Sequence, residues 1–399
     1  MRILLVHNYY GSGAPSGENI VVDAEEKLLI DGGNEVIRYS RYSDDVRRQG
    51  TFGLIRASLS TPWNPFSARR LSEQVNEIRP DIVHVHNTFP MISPSIFHSI
   101  GSGIAKVITL HNYRLLCPAA IPMRNGNVCT ECIYKRSVLP SLLHGCYRGS
   151  RLSTVPLAAN VALHRKIGTW NSKVDAFIAL SQFQKDQMVM GGFPKEKIHV
   201  KPNFYAGDPE WVPISARENC VVFVGRLGAE KGVKTLLEAW RRWGDSAPLL
   251  RVIGDGPLRQ YMESESQGLN IEFKGQVQAD IAQQYIARSR LLVLPSEWFE
   301  GFPMVLREAF AFGTPSVVSD LGPLPSIVQN GVNGVVFQAG NSYSLLTSIR
   351  ETFFDTEKLC RMSASARQSF ESLYTEKTNY KQLIGIYERA REVSQLSRK

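Results

Sequence analysis

The chain of 399 residues lacks most of what would set it apart from ordinary globular proteins. No apolar run approaches the roughly 20 residues that a membrane-spanning helix needs. No segment repeats at a solenoid period, and none is of low complexity. The N-terminal run Ile3-Leu4-Leu5-Val6 has no small-residue cleavage site after it and continues into His7-Asn8-Tyr9-Tyr10. It therefore reads as a buried strand and not as a secretory signal, and the expected compartment is the cytosol. The Gly-x-Gly-x-x-Gly fingerprint is missing after that strand, which argues against a nicotinamide-dependent dehydrogenase. Cysteine is scarce: six in all, with four in one stretch. Hydrophobic residues at 43% and charged residues at 21% exclude a disordered, collagenous or coiled-coil chain. The length suits about two domains.

Charge is unevenly placed. Residues 1–205 hold 24 Lys and Arg against 15 Asp and Glu, whereas residues 206–399 hold 22 of each. The whole formal excess of +9 thus lies in the first half, and all of it after residue 45, since residues 1–45 hold 4 Lys and Arg against 8 Asp and Glu. A positive field there concentrates phosphates, nucleic acid or anionic lipid headgroups. Plain solubility charge is the alternative.

Short apolar runs alternate with helical periodicity. Strands are expected at Ile3–His7, Glu35–Tyr39, 81–86, 105–110 and Ala176–Leu180, with helices Val21–Ile30 and Ala68–Ile78 among them. A Pro- and Gly-containing break near 201–213 is the linker candidate. The alternation then resumes: strands at Val221–Val224, Leu249–Ile253, Ile271–Phe273, Leu291–Leu294, Ser316–Val318 and Val335–Phe337, and helices at Val233–Trp243, Leu258–Ser266, Ile281–Ala287 and Pro303–Phe312. Three helical stretches close the chain. Buried strands separated by helices predict α/β architecture, with parallel sheets covered on both faces and ligands at the carboxyl ends of the strands. The expected division is 1–205, carrying a Cys-rich insertion at about 112–150, and 206–399, with terminal helices packing back on the first domain.

In the second half, strand Val221–Val224 runs into Gly225-Arg226-Leu227-Gly228-Ala229-Glu230-Lys231-Gly232 and then a helix. Helix-end amides, a forked guanidinium and an ammonium suit a phosphate group. Surface charge on a loop is the plainer reading. Strand Leu291–Leu294 is followed by Glu300-Gly301-Phe302-Pro303-Met304-Val305-Leu306-Arg307-Glu308. Proline suits the first helical turn, the amides of Met304 and Val305 then face an anion, and Glu308 reaches a pair of vicinal hydroxyls.

Glu300 and Glu308, with seven residues between them, resemble the E-x7-E motif of the family 4 retaining glycosyltransferases of GT-B fold. Gly225-Arg226 with Lys231-Gly232 is similar to that family's pyrophosphate-binding pair. Gly254-Asp255-Gly256-Pro257, Phe273-Lys274-Gly275-Gln276-Val277 and Asn330-Gly331-Val332-Asn333-Gly334 resemble its further loops, in order. The resemblance implies two tandem Rossmann-like doubly wound domains facing each other across a cleft. It implies a nucleotide-diphosphate sugar donor on the carboxyl-terminal domain. Arg226 and Lys231 would neutralise the leaving diphosphate, Glu308 would bind the ribose and Glu300 the transferred sugar. Gly225, Gln276, Val277, Phe302, Pro303, Met304 and Val305 would line the donor, with no metal needed at the diphosphate. The chain departs from the family pattern at Pro303, where Gly is frequent, and at Ser326, where Glu is.

In the first half, the loop Gly11–Glu18 is similar to the family's Gly-Gly-x-Glu turn, with Gly17 matching and Ser16 departing; a simple turn is the alternative. His111 ends the strand at 105–110 and resembles the family histidine that contacts the transferred sugar. His84 and His86 flank Val85 and read as facing opposite sides of a buried strand. Cys117, Cys129, Cys132 and Cys146 are spaced C-x11-C-x2-C-x13-C. This reads as a structural zinc site, with free thiols, disulfides or an iron–sulfur cluster as alternatives. The stretch Leu152–Trp170, with basic residues around it, reads either as a helix resting peripherally on an anionic membrane or as a core helix with a basic outer face.

The function these features imply is glycosyl transfer from a nucleotide-sugar donor to a glycan or lipid-linked acceptor, in cell-surface or exported polysaccharide synthesis. A nucleotide-sugar 2-epimerase of the same architecture and a basic zinc-containing nucleic-acid-binding protein are the alternatives. The second lacks an evident recognition module. A glycosidase carboxylate pair explains the two glutamates but not the phosphate-binding loop.

Overall fold

The computed structural model describes residues 1–11 and 16–396. The chain divides into two compact units. One comprises Met1–Pro122, Thr130–Pro202 and Asn379–Lys399; the other comprises Met123–Cys129 and Asn203–Thr378. Among the described residues no helix is long and apolar enough to cross a membrane.

The first unit is built on six parallel strands: β1 (Arg2–Tyr9), β2 (Glu35–Tyr42), β3 (Ile82–Asn87), β4 (Ala105–Leu110), and, beyond a small hairpin of β5 (Met123–Arg124) and β6 (Asn127–Val128), β7 (Ala176–Ala179) and β8 (Ile198–Val200). Their order is β2-β1-β3-β4-β7-β8. Alternation along each strand supplies both cores. Leu4, Val6, Val83, Val85, Ile108 and Phe177 face one side with Phe97 and Trp170. Ile3, Leu5, Ile82, Val107 and Ile178 face the other. The second side is closed by Leu383, Ile386, Tyr387 and Ala390 of the last helix, Glu376–Leu396. The hairpin, which groups with the other unit, turns at Asn125 and Gly126, both at positive φ, as a two-residue turn matched to strand twist requires.

The second unit repeats the plan with β9 (Glu218–Val224), β10 (Leu249–Ile253), β11 (Ile271–Gly275), β12 (Ser289–Leu294), β13 (Ser316–Ser319) and β14 (Gly334–Phe337), all parallel. Their order is β11-β10-β9-β12-β13-β14, so the direction of winding reverses between β9 and β12. Val221, Phe223, Leu250, Val252, Leu291 and Val293 pack with Leu236, Trp240, Leu345 and Ile349 of the covering helices.

Periodicity missed the helices Ser43–Arg48, Gly50–Ser60 and Gln182–Met190, and the edge strand β8. The helix expected over Leu152–Trp170 is two: Arg151–Lys166 and Thr169–Ser172. Gly168, at φ +68, breaks it, because a left-handed residue cannot continue the helical ladder.

Candidate functional site

Where winding reverses in a doubly wound sheet, the loops after the two adjacent strands diverge and leave a crevice at their carboxyl ends. In the second unit those strands are β9 and β12, and the sequence motifs lie there. After β9 the chain passes Gly225 and Arg226, makes a short turn over Ala229–Lys231 and enters the helix Val233–Trp243 through Gly232. Gly232 is at φ +67, and a Cβ on it would lie 1.8 Å from the Pro295 carbonyl oxygen. Only glycine lets this loop approach the end of β12. Gly254, at φ +132, is similarly required by Gly225, whose oxygen would be 2.0 Å from an added Cβ. The Glu297 amide donates to the Glu230 carbonyl at 2.9 Å, tying the two loops together.

Two residues read separately in the sequence meet here. Lys231 Nζ lies 2.7 Å from Glu300 Oε1 and 5.5 Å from the centre of the Trp298 ring. Ser296 also donates to Glu300 Oε1, at 2.6 Å. Arg226 is two-thirds exposed, with Glu230 4.0 Å away. An exposed guanidinium and an ion-paired ammonium thus lie on one loop, the one that follows β9.

The helix Met304–Ala311 begins one residue later than expected. Pro303 is its cap, extended at φ −66 and ψ 123, and not its first turn. The first amides of a helix have no intrahelical partner, so those of Met304 and Val305 suit an anion. Phe302 packs 5.3 Å from the Tyr374 ring, and the Asn203 amide donates to Met304 Sδ at 3.6 Å. Glu308, half-buried, is raised above the usual carboxylate range by burial, against the pull of Arg307 and the Gln283 amide. Tyr205 donates to Gln283 Oε1 at 2.9 Å and so orients that amide. Gln276 and Val277 follow edge strand β11, with Gln276 exposed.

In the first unit, Gly17 is the exposed first residue of the helix Gly17–Asp31. The loop before it, Ser12–Pro15, lies outside the described residues. Glu18 beside it is pushed up to about 8 by burial. His111 directly follows β4 and is partly exposed. His84 and His86 correct the sequence reading: residues two apart on a strand share a face, and both imidazoles converge on Glu25. Glu25, His84 and His86 have donor atoms within 4.8 Å of one another, a set that contains none of the four cysteines. A positive charge is already supplied there by Lys201, whose Nζ is 2.9 Å from Glu25 Oε2. Cys117 and Cys132 are buried, and Cys129 and Cys146 half-buried.

Sequence reasoning passed over Glu25, Lys201, Ser296 and Trp298. For Glu25 a signal existed. It falls among Val21, Val22, Leu28 and Leu29 on the inward face of its helix, where a carboxylate is costly unless paired.

Comparison with known proteins bears on the family and the fold. Residues 27–206 match the model of the family described as "Glycosyltransferase Family 4", and residues 209–369 match "Glycosyl transferases group 1". A sulfoquinovosyl transferase of Arabidopsis thaliana is 25% identical over 318 residues, 76% of this chain and 55% of its own. A lipopolysaccharide 1,6-galactosyltransferase of Escherichia coli is 29% identical over 54% of this chain and 63% of its own. The chain thus spans little more than half the length of these relatives. Among solved structures, HepE of Anabaena in complex with UDP and glucose superposes with a TM-score of 0.63 at 18% identity, covering 97% of this chain and 99% of its own. That likeness is one of fold, and the fold is GT-B.

Proposed function

Because the chain belongs to the group 1 and family 4 glycosyltransferases, we propose that it moves a sugar, with retention of configuration, from a nucleotide-diphosphate donor to a glycan or lipid-linked acceptor in cell-surface polysaccharide synthesis. The observation that carries this is the crevice of the second unit. There Arg226, Lys231 and the open end of the helix Met304–Ala311 supply positive charge and donors, and Glu300 and Glu308 supply acceptors.

The chemistry is leaving-group departure. As the anomeric carbon–oxygen bond breaks, negative charge develops on the diphosphate. Arg226 forks onto its oxygens, Lys231 adds a point charge and helix-end amides complete the cradle. No metal is invoked at the diphosphate. Lys231 then exchanges part of its contact with Glu300 for phosphate, leaving Glu300 to hold hydroxyls of the transferred sugar. Glu308 accepts from the ribose hydroxyls, and His111 contacts the transferred sugar. The acceptor hydroxyl attacks the anomeric carbon from the face the diphosphate leaves, and its proton passes to the departing diphosphate oxygen.

The decisive experiment is calorimetry with UDP, GDP and ADP and their sugars, UDP-glucose first. One of them should bind and raise the melting temperature by mass action. Uptake of none ends the proposal.

Two accessory readings are tested separately. The zinc reading of Cys117, Cys129, Cys132 and Cys146 rests on their spacing in the sequence; metal analysis of the purified protein should find about one zinc per chain, and finding none overturns it. The basic first half would rest on the cytosolic face of an anionic membrane. Support comes from Phe52 and Leu59, 71% and 76% exposed on the helix Gly50–Ser60, and from Leu152, 85% exposed on Arg151–Lys166. Sedimentation with anionic vesicles, lost at high salt or with neutral lipid, is the expected result.

A further inference from the structure

A line of buried polar groups in the first unit leads from Lys201 to His111. Lys201 Nζ is 2.9 Å from Glu25 Oε2 and donates to Asn379 Oδ1 at 3.0 Å. Glu25 Oε1 faces His86 Nε2 at 3.3 Å. His86 Nδ1 lies 3.0 Å from His111 Nε2. His84 braces the centre. Its Nδ1 is 3.2 Å from Glu25 Oε1 and 2.7 Å from the Tyr387 hydroxyl, and its Nε2 is 2.8 Å from Thr109 Oγ1. Every group before His111 is buried, while His111 is partly exposed. The line therefore has one accessible end.

Its proton order follows from the charges. The Lys201 ammonium overcomes burial and holds Glu25 well below the usual carboxylate range. Glu25 is thus an acceptor only. A lone pair 3.3 Å from that anion would be repelled, so the nitrogen of His86 that faces it, Nε2, carries the hydrogen, in an electrostatic contact and not an aligned hydrogen bond. Burial keeps His86 neutral, its pKa pushed down to about 4, and burial likewise lowers that of His111. A neutral imidazole has one N–H, so His86 Nδ1 presents a lone pair. His111 Nε2 must then donate to it, because the other tautomer would set two lone pairs 3.0 Å apart. What remains on His111 is Nδ1, as an acceptor.

We propose that Glu25 and His86 are positioning residues that hold His111 as the Nε2–H tautomer, so that its Nδ1 accepts a hydrogen bond from a hydroxyl of the transferred sugar. The proposal rests on the reading of His111 as a sugar contact. It adds which atom makes the contact, in which sense, and what fixes it. An anion behind a paired imidazole also raises the basicity of the nitrogen in front, as outer partners of metal-bound histidines do.

Two-bond proton–nitrogen correlation spectra of the imidazoles, on the full chain at neutral pH, test the tautomers directly. His86 and His111 should both be neutral and protonated at Nε2. Finding His111 charged, or protonated at Nδ1, overturns the proposal without any variant being made. In His86→Phe, which removes the inner acceptor, His111 should become a tautomer mixture. UDP release from UDP-glucose should slow about tenfold or more, with UDP affinity unchanged. His86→Asn, which restores an oxygen near the position of Nδ1, should recover part of the rate. A folded His86→Phe protein with normal turnover overturns the proposal. Undiminished turnover in His111→Ala would remove the sugar-contact reading itself, even with both tautomers as expected.

Discussion

The two glutamates of the second unit share a chemistry but not a setting. Glu300 is held at Oε1 by both Lys231 and Ser296, so its carboxyl group is pre-oriented. Glu308 is raised by burial, with Gln283 beside it. A group that hydrogen-bonds a nucleotide's sugar should matter to affinity more than to turnover. Glu308→Ala is expected to weaken nucleotide binding by about 10- to 100-fold, the scale of a charged hydrogen bond, with calorimetry as the readout. Arg226→Ala should instead lower turnover by about 10²-fold or more, as loss of one preorganised donor does. Equal affinity in Glu308→Ala, or equal turnover in Arg226→Ala, would contradict these roles. In the first unit, Lys201→Met strands Glu25 as a buried anion. A loss of about 3–5 kcal/mol is expected at neutral pH, read as the unfolding midpoint in denaturant. Glu25 has a depressed pKa in the folded protein. Its paired charge stabilises above the unfolded value and is lost as pH falls, so the deficit of the variant should shrink in acid.

At the scale of elements, the donor crevice depends on backbone approach as much as on side chains. The turn between β9 and its helix, the end of β12 and the turn after β10 meet main chain to main chain. Leu227 donates to Asp255, and Leu258 donates to Leu227, each at 2.9 Å. Gly232→Ala places a methyl against the Pro295 carbonyl in a left-handed residue. It should cost about 2 kcal/mol or more and displace Lys231 from Glu300. A stability change below half of that, with normal nucleotide affinity, would show that the loop relaxes freely. The last helix acts differently. Its Tyr387 closes one core of the first unit and reaches His84, so the line behind His111 depends on residues more than 270 positions later in the chain.

For the whole molecule, buried titratable groups bound the pH range of stability from both sides. His7, His86 and His164 are pushed down to about 4 by burial, whereas the unfolded chain protonates near 6.5. Below pH 6.5 the unfolded state takes up protons that the folded state refuses, so stability falls toward pH 4. Glu18 behaves in the opposite sense. Its pKa of about 8 lies above the unfolded carboxylate value, so stability is lost as pH rises from about 4.5 to 8. Glu18→Gln should raise stability at pH 8 by a few kcal/mol and change it little at pH 5. Chemical denaturation at the two values decides, and a variant equally affected at both would rule out ionisation as the cause.

Periodicity determined the alternation of strands and helices, since a strand covered on both faces must be apolar throughout and its helices apolar on one side. The segments Val233–Trp243 and Leu249–Ile253 coincide with observed elements to the residue. The glycines, Arg226, Lys231 and the two glutamates were legible because the donor chemistry of the second unit sits in short contiguous motifs on loops. What the sequence alone left undecided is pairing. That Lys231 meets Glu300 across 69 positions depends on the reversal of strand order between β9 and β12. That Glu25, His86 and Lys201 stand behind His111 was decided only by the tertiary structure. Such a line joins a helix, the ends of three strands and the terminal helix, and the free energy of burying its charges has meaning only once all of them are in place.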